Sequence, residues 1–227
     1  MANSSPRART APEHSAAAIR HLAEHGYDAT TAGDLADTVG MSRSTFFRRY
    51  GNKDDVIFAD HVHALAQLEE FLSSTELSTP DALIEGTCDV LRLLIRNPES
   101  ARLRFELMRH TPALRDRELI ITHRYERVFA HHIREVLPTG SAQWVPASLS
   151  AGLVAVHNAT LRDWLRGGSA DAVHVLGRDL RQLVSLYQPW LDPETDPASR
   201  RVVVAVYDAA ASPEAVLQSI AATLPAN

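Results

Sequence analysis

The chain has 227 residues, 45% of them hydrophobic, with 23 Lys+Arg against 28 Asp+Glu and a net charge of −5. That is enough apolar material for a sizeable core in one or two domains. No apolar run is long enough to span a bilayer and the N-terminus is too polar for a signal peptide, so a cytoplasmic protein without a membrane partner is expected. The single Cys88 excludes an intramolecular disulfide framework and fits a reducing compartment. The acidic balance hides an asymmetry. Residues 1–53 carry seven basic against five acidic side chains, and the rest carry 16 against 23. Phosphate attraction acts over about 8 Å at physiological salt, so a locally basic head on an acidic body is compatible with a nucleic-acid partner.

Residues 1–12 are polar and proline-broken and are expected to form a disordered tail. From Glu13 to about His25, Ile19, Leu22 and Ala23 share one helix face, which Gly26 ends. Thr31 and Asp34 then make a capping box, and Ala32, Leu35, Ala36 and Val39 supply an apolar face at helical spacing. Gly40 gives the left-handed backbone a tight turn needs. Ser42 caps a second helix running to about Tyr50, with Met41, Phe46 and Tyr50 as its docking side. Arg43, Ser44, Thr45, Phe47, Arg48 and Arg49 are left for its other faces, where hydroxyls and guanidiniums suit base edges and phosphates. Two short helices joined through a glycine turn form the helix-turn-helix pattern, whose second helix enters the major groove. Asn52 and Asp55 cap the next helix, which places Lys53 at its positive end, suited to a phosphate. This connecting helix is expected to run to about Leu72.

Thr79-Pro80, Asn97-Pro98 and Thr111-Pro112 each set a capping residue before a proline, the signature of a helix start. They predict helices near 80–96, 98–110 and 112–137, followed by helices near 146–166 and 170–188. Leu149, Leu153, Val156, Leu161 and Trp164, with Val173, Leu176, Leu180, Leu183, Leu186 and Tyr187, are the candidate dimer faces of the last two. Beyond them, the β-branched run 201–208 reads as a buried strand that could pair with its copy in a second subunit, as a helix, or as an extended segment docked through its side chains. Ser212 and Pro213 open a short final helix. The fold class is all-α: a helix-turn-helix head over 13–52, a helical effector-binding and dimerisation body over 53–190, and a C-terminal extension over 191–227 with a possible strand and helix.

Over about residues 15–60 the segments AAIRHLAEHGYDATTAGDLA and MSRSTFFRRYGNKDDV resemble the TetR family of transcriptional regulators. The resemblance implies three DNA-binding helices, a connecting fourth and a dimerising body that receives a ligand. It implies DNA contacts at Ser44 and Thr45, and a phosphate contact at Lys53. Phe47 stands where the family usually has a tyrosine, so the phosphate hydroxyl is missing, while Arg49 stands where His or Tyr is common and can supply a permanent charge. Thr31, Arg43 and Arg48 complete the expected DNA-binding set.

An effector cavity is expected from polar residues set among apolar ones: Thr87, His157 and Asn158, with Phe105, Met108, Phe129 and Trp144 as soft or aromatic lining. Arg102, Arg104 and Arg109 read as a solvated helix face. His131 and Glu135 could share an ion but provide two ligands where structural zinc takes four, so no metal and no cofactor are expected. No P-loop, nucleophile elbow, zincin or dinucleotide motif is present, which argues against an enzyme. The reading is a ligand-responsive regulator, a repressor, binding a palindromic operator as a homodimer. The alternative is a helical small-molecule-binding protein of the same fold that has lost operator binding.

Overall fold

The computed structural model describes residues 10–191, and among them every regular element is a helix. The strand-like run 201–208 and the helix after Ser212 lie outside the described residues. Helix α1, Ala11–His25, begins two residues earlier than the sequence suggested, because Pro12 sits in the first turn, where its missing N–H costs nothing. Glu13 closes that start by accepting from the Thr10 N–H at 2.6 Å. Helix α2, Ala32–Thr38, has the expected capping box, with the Thr31 N–H donated to Asp34 at 2.8 Å. Gly40 makes the turn at φ +75°. Helix α3, Arg43–Tyr50, starts at Ser42, whose hydroxyl accepts from the Thr45 N–H at 3.2 Å.

The connecting helix is not continuous. It divides into α4, Lys53–Ile57, and α5, Ala59–Ser74, at Phe58, whose backbone leaves helical geometry at φ −108°, ψ 19°. No glycine or proline marks the break. Phe58 is only 1% exposed, so its ring is held in the interior while the backbone changes direction.

The body continues through α6, Thr79–Ile95; α7, Pro98–His110; α8, Pro112–Val136; α9, Trp144–Leu165; α10, Ala172–Ser185; and the short α11, Gln188–Leu191. Helices α7 and α8 start where the capping pairs placed them, although Thr111 makes no side-chain cap bond, and α6 opens one residue earlier, with Ser78 accepting from the Asp81 N–H. Pro189 lies inside the short α11 and does not end the chain's helices. One hydrophobic core runs from Ala18 and Ile19 of α1 to Leu191 of α11. Helix α1 packs on α4, α5 and α7, so the N-terminal head shares its base with the body.

The two last long helices correct part of the expected dimer faces, since Leu186 is exposed and Val156, Leu161, Val173, Leu183 and Tyr187 are half-buried. Leu149, Leu153, Trp164, Leu176 and Leu180 are buried within the chain and have no surface to offer a second copy. A Cβ on Gly152 would stand 3.1 Å from Leu183, so that glycine lets α9 and α10 cross closely. What α9 does expose is a row of alanines four residues apart: Ala147, Ala151, Ala155 and Ala159.

Candidate nucleic-acid interface and effector cavity

On α3, Phe46 and Tyr50 turn inward, and the Tyr50 hydroxyl lies 2.6 Å from His14 Nδ1 of α1. That bond and the Phe46–Tyr50 edge contact fix the rotation of the helix. Arg43, Ser44, Phe47, Arg48 and Arg49 are consequently exposed and Thr45 half-buried. Phe47, half exposed, sits edge-on to Phe46 and is followed by Arg48 and Arg49, an apolar surface beside cationic residues. Sequence reasoning missed His14 as the residue that sets this rotation. Its signal is its place with Ala18 and Ile19 on the buried face of α1.

Three of the expected DNA contacts are already engaged. The Thr31 hydroxyl donates to Asp34 at 2.7 Å while accepting its N–H, and this bond holds the Asp34 carboxyl below its usual range. Lys53 Nζ donates to the Tyr27 carbonyl at 2.8 Å and lies 3.8 Å from the centre of the Tyr27 ring. Arg43 folds back on α2, where a Cβ on Gly33 would meet its Nε at 2.7 Å. Gly33→Ala should displace this flexible guanidinium while changing stability by less than about 1 kcal/mol. Operator discrimination should fall by up to about 1 kcal/mol, a fraction of one bidentate base contact. Competition binding with base-substituted duplexes measures it. Unchanged discrimination would separate Arg43 from base reading.

Beneath the head is a buried ion pair that sequence reasoning placed on the surface. Arg104, only 5% exposed, sends Nη1 to both oxygens of Asp60 at 2.7 Å and to the Ile57 carbonyl at 3.3 Å. The Ser15 hydroxyl of α1 donates to the same carbonyl at 2.6 Å. Burial pushes the Asp60 carboxyl upward, but the Arg104 charge and the N–H and His61 contacts outweigh it and leave it below its ordinary value. Arg117 of α8 makes a second ion pair with Asp55 of α4. Both sides of the Phe58 break are therefore pinned to the body by charge. Ala101, Arg104, Phe105 and Met108 recur at helical spacing, so an arginine within an apolar stripe was the available signal. Arg102 and Arg109 are exposed as expected, the former over Trp164 and the latter paired with Glu106.

Arg104 also lines a cavity of about 50 Å³ enclosed by α5 to α9. Thr87, Phe105, Met108, Phe129, His157 and Asn158 of the expected set meet there. Trp144 does not. It is 54% exposed and makes an edge contact with Trp190, because α9 begins on the far side of the bundle. Phe58, His61 and Tyr125 belong to the lining but escaped notice, since only tertiary packing brings α5 and α8 together. Cys88 is buried, and burial raises its thiol pKa, which suits packing rather than redox sensing. His131 and Glu135 are both exposed, 4.0 Å apart, and no group of three metal-ligating side chains occurs among the described residues.

Burial, with Arg104 nearby, pushes the His61 pKa down to about 3, and burial lowers that of His157. The unfolded chain takes up protons on these rings below about pH 6.5, while the fold refuses them. Their contribution is complete above pH 6.5 and is lost as the pH falls, by about 1.4 kcal/mol per unit for each ring that stays neutral. Urea unfolding should show stability dropping between pH 7 and 5. The slope should flatten in His61→Phe, and an unchanged slope would show that His61 takes up its proton inside the fold.

A helix-turn-helix head whose recognition helix is open, set on a helical body with an internal cavity, defines a DNA-binding regulator. The chain belongs to the tetR family of bacterial regulatory proteins: the family model matches residues 16–59, and a model for the MftR C-terminal domain matches residues 77–188. Among similar proteins is the mycofactocin biosynthesis transcriptional regulator MftR of Mycobacterium tuberculosis, 25% identical over 174 residues, which cover 75% of this chain and 88% of that one. The transcriptional repressor AcnR of Corynebacterium jeikeium is 38% identical over 66 residues, covering 29% of this chain and 32% of AcnR. In fold, the chain is similar to FadR from Bacillus subtilis, solved with stearoyl-CoA, at a TM-score of 0.53 and 16% identity, covering 75% of this chain and 95% of FadR. No described helix is long and apolar enough to cross a membrane.

Proposed function

We propose that this chain is a cytoplasmic repressor that binds a palindromic operator as a homodimer and leaves it when a small apolar molecule enters the cavity. Residues 13–52 serve as the DNA-reading head and 53–190 as the effector-binding and dimerising body. Arg43, Ser44 and Thr45 face bases; Thr31, Arg48, Arg49 and Lys53 hold phosphates; and the Phe47 ring packs on sugar or a thymine methyl. The observation that carries this reading is the Arg104–Asp60 pair, because one side chain both lines the cavity and holds the Phe58 break that joins head to body. A ligand shifts operator affinity only through unequal binding to the DNA-bound and released states, and a cavity wall built from the hinge supplies that inequality.

Fluorescence anisotropy against the DNA upstream of the coding region, with a scrambled duplex as control, tests it. Tight and salt-sensitive binding to the first duplex alone is expected. Thr45→Ala should change which base substitutions are tolerated, each worth about 1–3 kcal/mol, rather than weakening all duplexes equally. Absence of binding to any duplex at low salt would instead favour a ligand-binding protein without an operator.

A further inference from the structure

Two buried nitrogens of the cavity have no hydrogen-bond partner: His61 Nδ1 and His157 Nε2. Every other buried polar group of the wall is engaged. Arg104 is committed to Asp60 and the Ile57 carbonyl, the Thr87 hydroxyl donates to the Leu83 carbonyl at 2.6 Å, and the Tyr125 hydroxyl donates to the His61 carbonyl at 3.3 Å. Leaving a buried polar atom unmatched costs about 1–3 kcal/mol, so the pair is an unmet requirement of two residues that line the cavity.

The chemistry of that requirement can be specified. His157 Nδ1 lies 3.1 Å from Asn158 Oδ1. An amide oxygen only accepts, so Nδ1 carries the ring proton and Nε2 presents a lone pair. His157 is 7% exposed, and its burial favours the neutral ring. The group that satisfies Nε2 must therefore donate. An ether or ketone has no proton to give, and a carboxylate would set lone pairs against a lone pair. An ammonium could donate, but Asp60 is taken by Arg104, and Glu118, the carboxylate that lines the cavity, shares the wall with Arg162, so no negative charge stands in excess to balance it. A hydroxyl donates once and retains lone pairs that can accept from a neighbouring ring N–H.

We propose that the cavity takes an apolar molecule bearing a hydroxyl, an alcohol or a phenol, whose O–H is donated to His157 Nε2 and whose oxygen accepts from His61 Nδ1–H. This rests on the reading of the cavity as the effector site. Phe58, Phe105 and Phe129 supply apolar contact for the remainder. The enclosed space is about 50 Å³, a third of the roughly 150 Å³ in which an engineered apolar cavity holds benzene, so a ligand of more than a few atoms must spread the wall, of which Phe58 and Arg104 are part.

Calorimetric titration of the full chain with 1-heptanol, its isomer 1-methoxyhexane and heptanoate tests the inference at neutral pH. The alcohol should bind about 10-fold or more tightly than either, the worth of one buried hydrogen bond. In His157→Leu that preference should collapse while the ether still binds. In the unmodified protein, the ¹⁵N resonance of His157 Nε2 should begin as a lone-pair nitrogen and move on addition of heptanol but not of the ether. Equal or tighter binding of ether or heptanoate, an Nε2 that already carries a proton, or no saturation by any probe in the millimolar range would each overturn it. Heptanol that binds as expected but leaves operator affinity unchanged would support the hydroxyl site and count against the effector reading.

Discussion

In the proposed homodimer, Ala155→Arg should separate the subunits and lower operator affinity by a factor of 100 or more. The expected interface is the exposed alanine row on α9, since Leu149, Leu153 and the inner face of α10 are consumed within the chain. Alanines at every fourth position let two helices approach to about 8 Å, and an arginine in the middle of the row cannot be accommodated there. Because position 155 is exposed, the monomer should keep its fold, with stability within about 0.5 kcal/mol of the parent. The loss of DNA binding follows from linkage: a lone head contacts one half-site and forfeits the effective concentration that a tethered second head provides, about 10²–10⁴-fold. Sedimentation velocity beside operator titration reads both effects. A variant that stays dimeric would place the two-fold axis elsewhere.

Arg104→Met should be the most destabilising single change in the described interior. Removing the guanidinium strands the Asp60 carboxylate in a buried site, at a cost of about 3–5 kcal/mol. For a chain of this length that corresponds to a fall of about 10 °C or more in Tm. Arg104→Met with Asp60→Asn should recover much of the loss, because neutral groups of similar size leave no charge to stabilise. A double-mutant cycle by calorimetry therefore separates the pair from the packing of its stems. Arg104→Met as stable as the parent would mean that water reaches Asp60. The recovered double variant is also informative about regulation: without the pair, head and body should be less tightly coupled, and a ligand should shift operator affinity less.

The head was legible because its determinants are local. Thr31 with Asp34, Gly40 and Ser42 each act within four residues, and their caps and turn stand where the sequence put them. The proline-initiated helices of the body start within a residue of where their capping pairs put them, α6 being capped by Ser78 instead of Thr79. What failed depends on long-range packing. Arg104 reads as an ordinary exposed arginine until α7 meets Asp60, 44 residues earlier in the chain. Trp144 reads as cavity lining until the start of α9 is seen to lie at the surface. Leu176 and Leu180 fit an intersubunit bundle as well as an internal one, because periodicity gives the apolar face of a helix but not what covers it. The break at Phe58 has no glycine or proline to announce it, and the ring there is buried by packing from elsewhere in the chain.

That break has a mechanical consequence. A continuous helix would bend stiffly along its length, whereas two helices meeting at one non-helical residue form a lever with a defined fulcrum. If the arm from fulcrum to recognition helix is taken as half the roughly 34 Å between half-sites, a turn of about 10° sweeps the helix through about 3 Å. Successive base pairs are about 3.4 Å apart, so a small tilt is nearly one step of misregister in each groove. In the proposed mechanism, displacement would be amplified outward from Phe58 while the effort is applied beside it, because Phe58 itself lines the cavity.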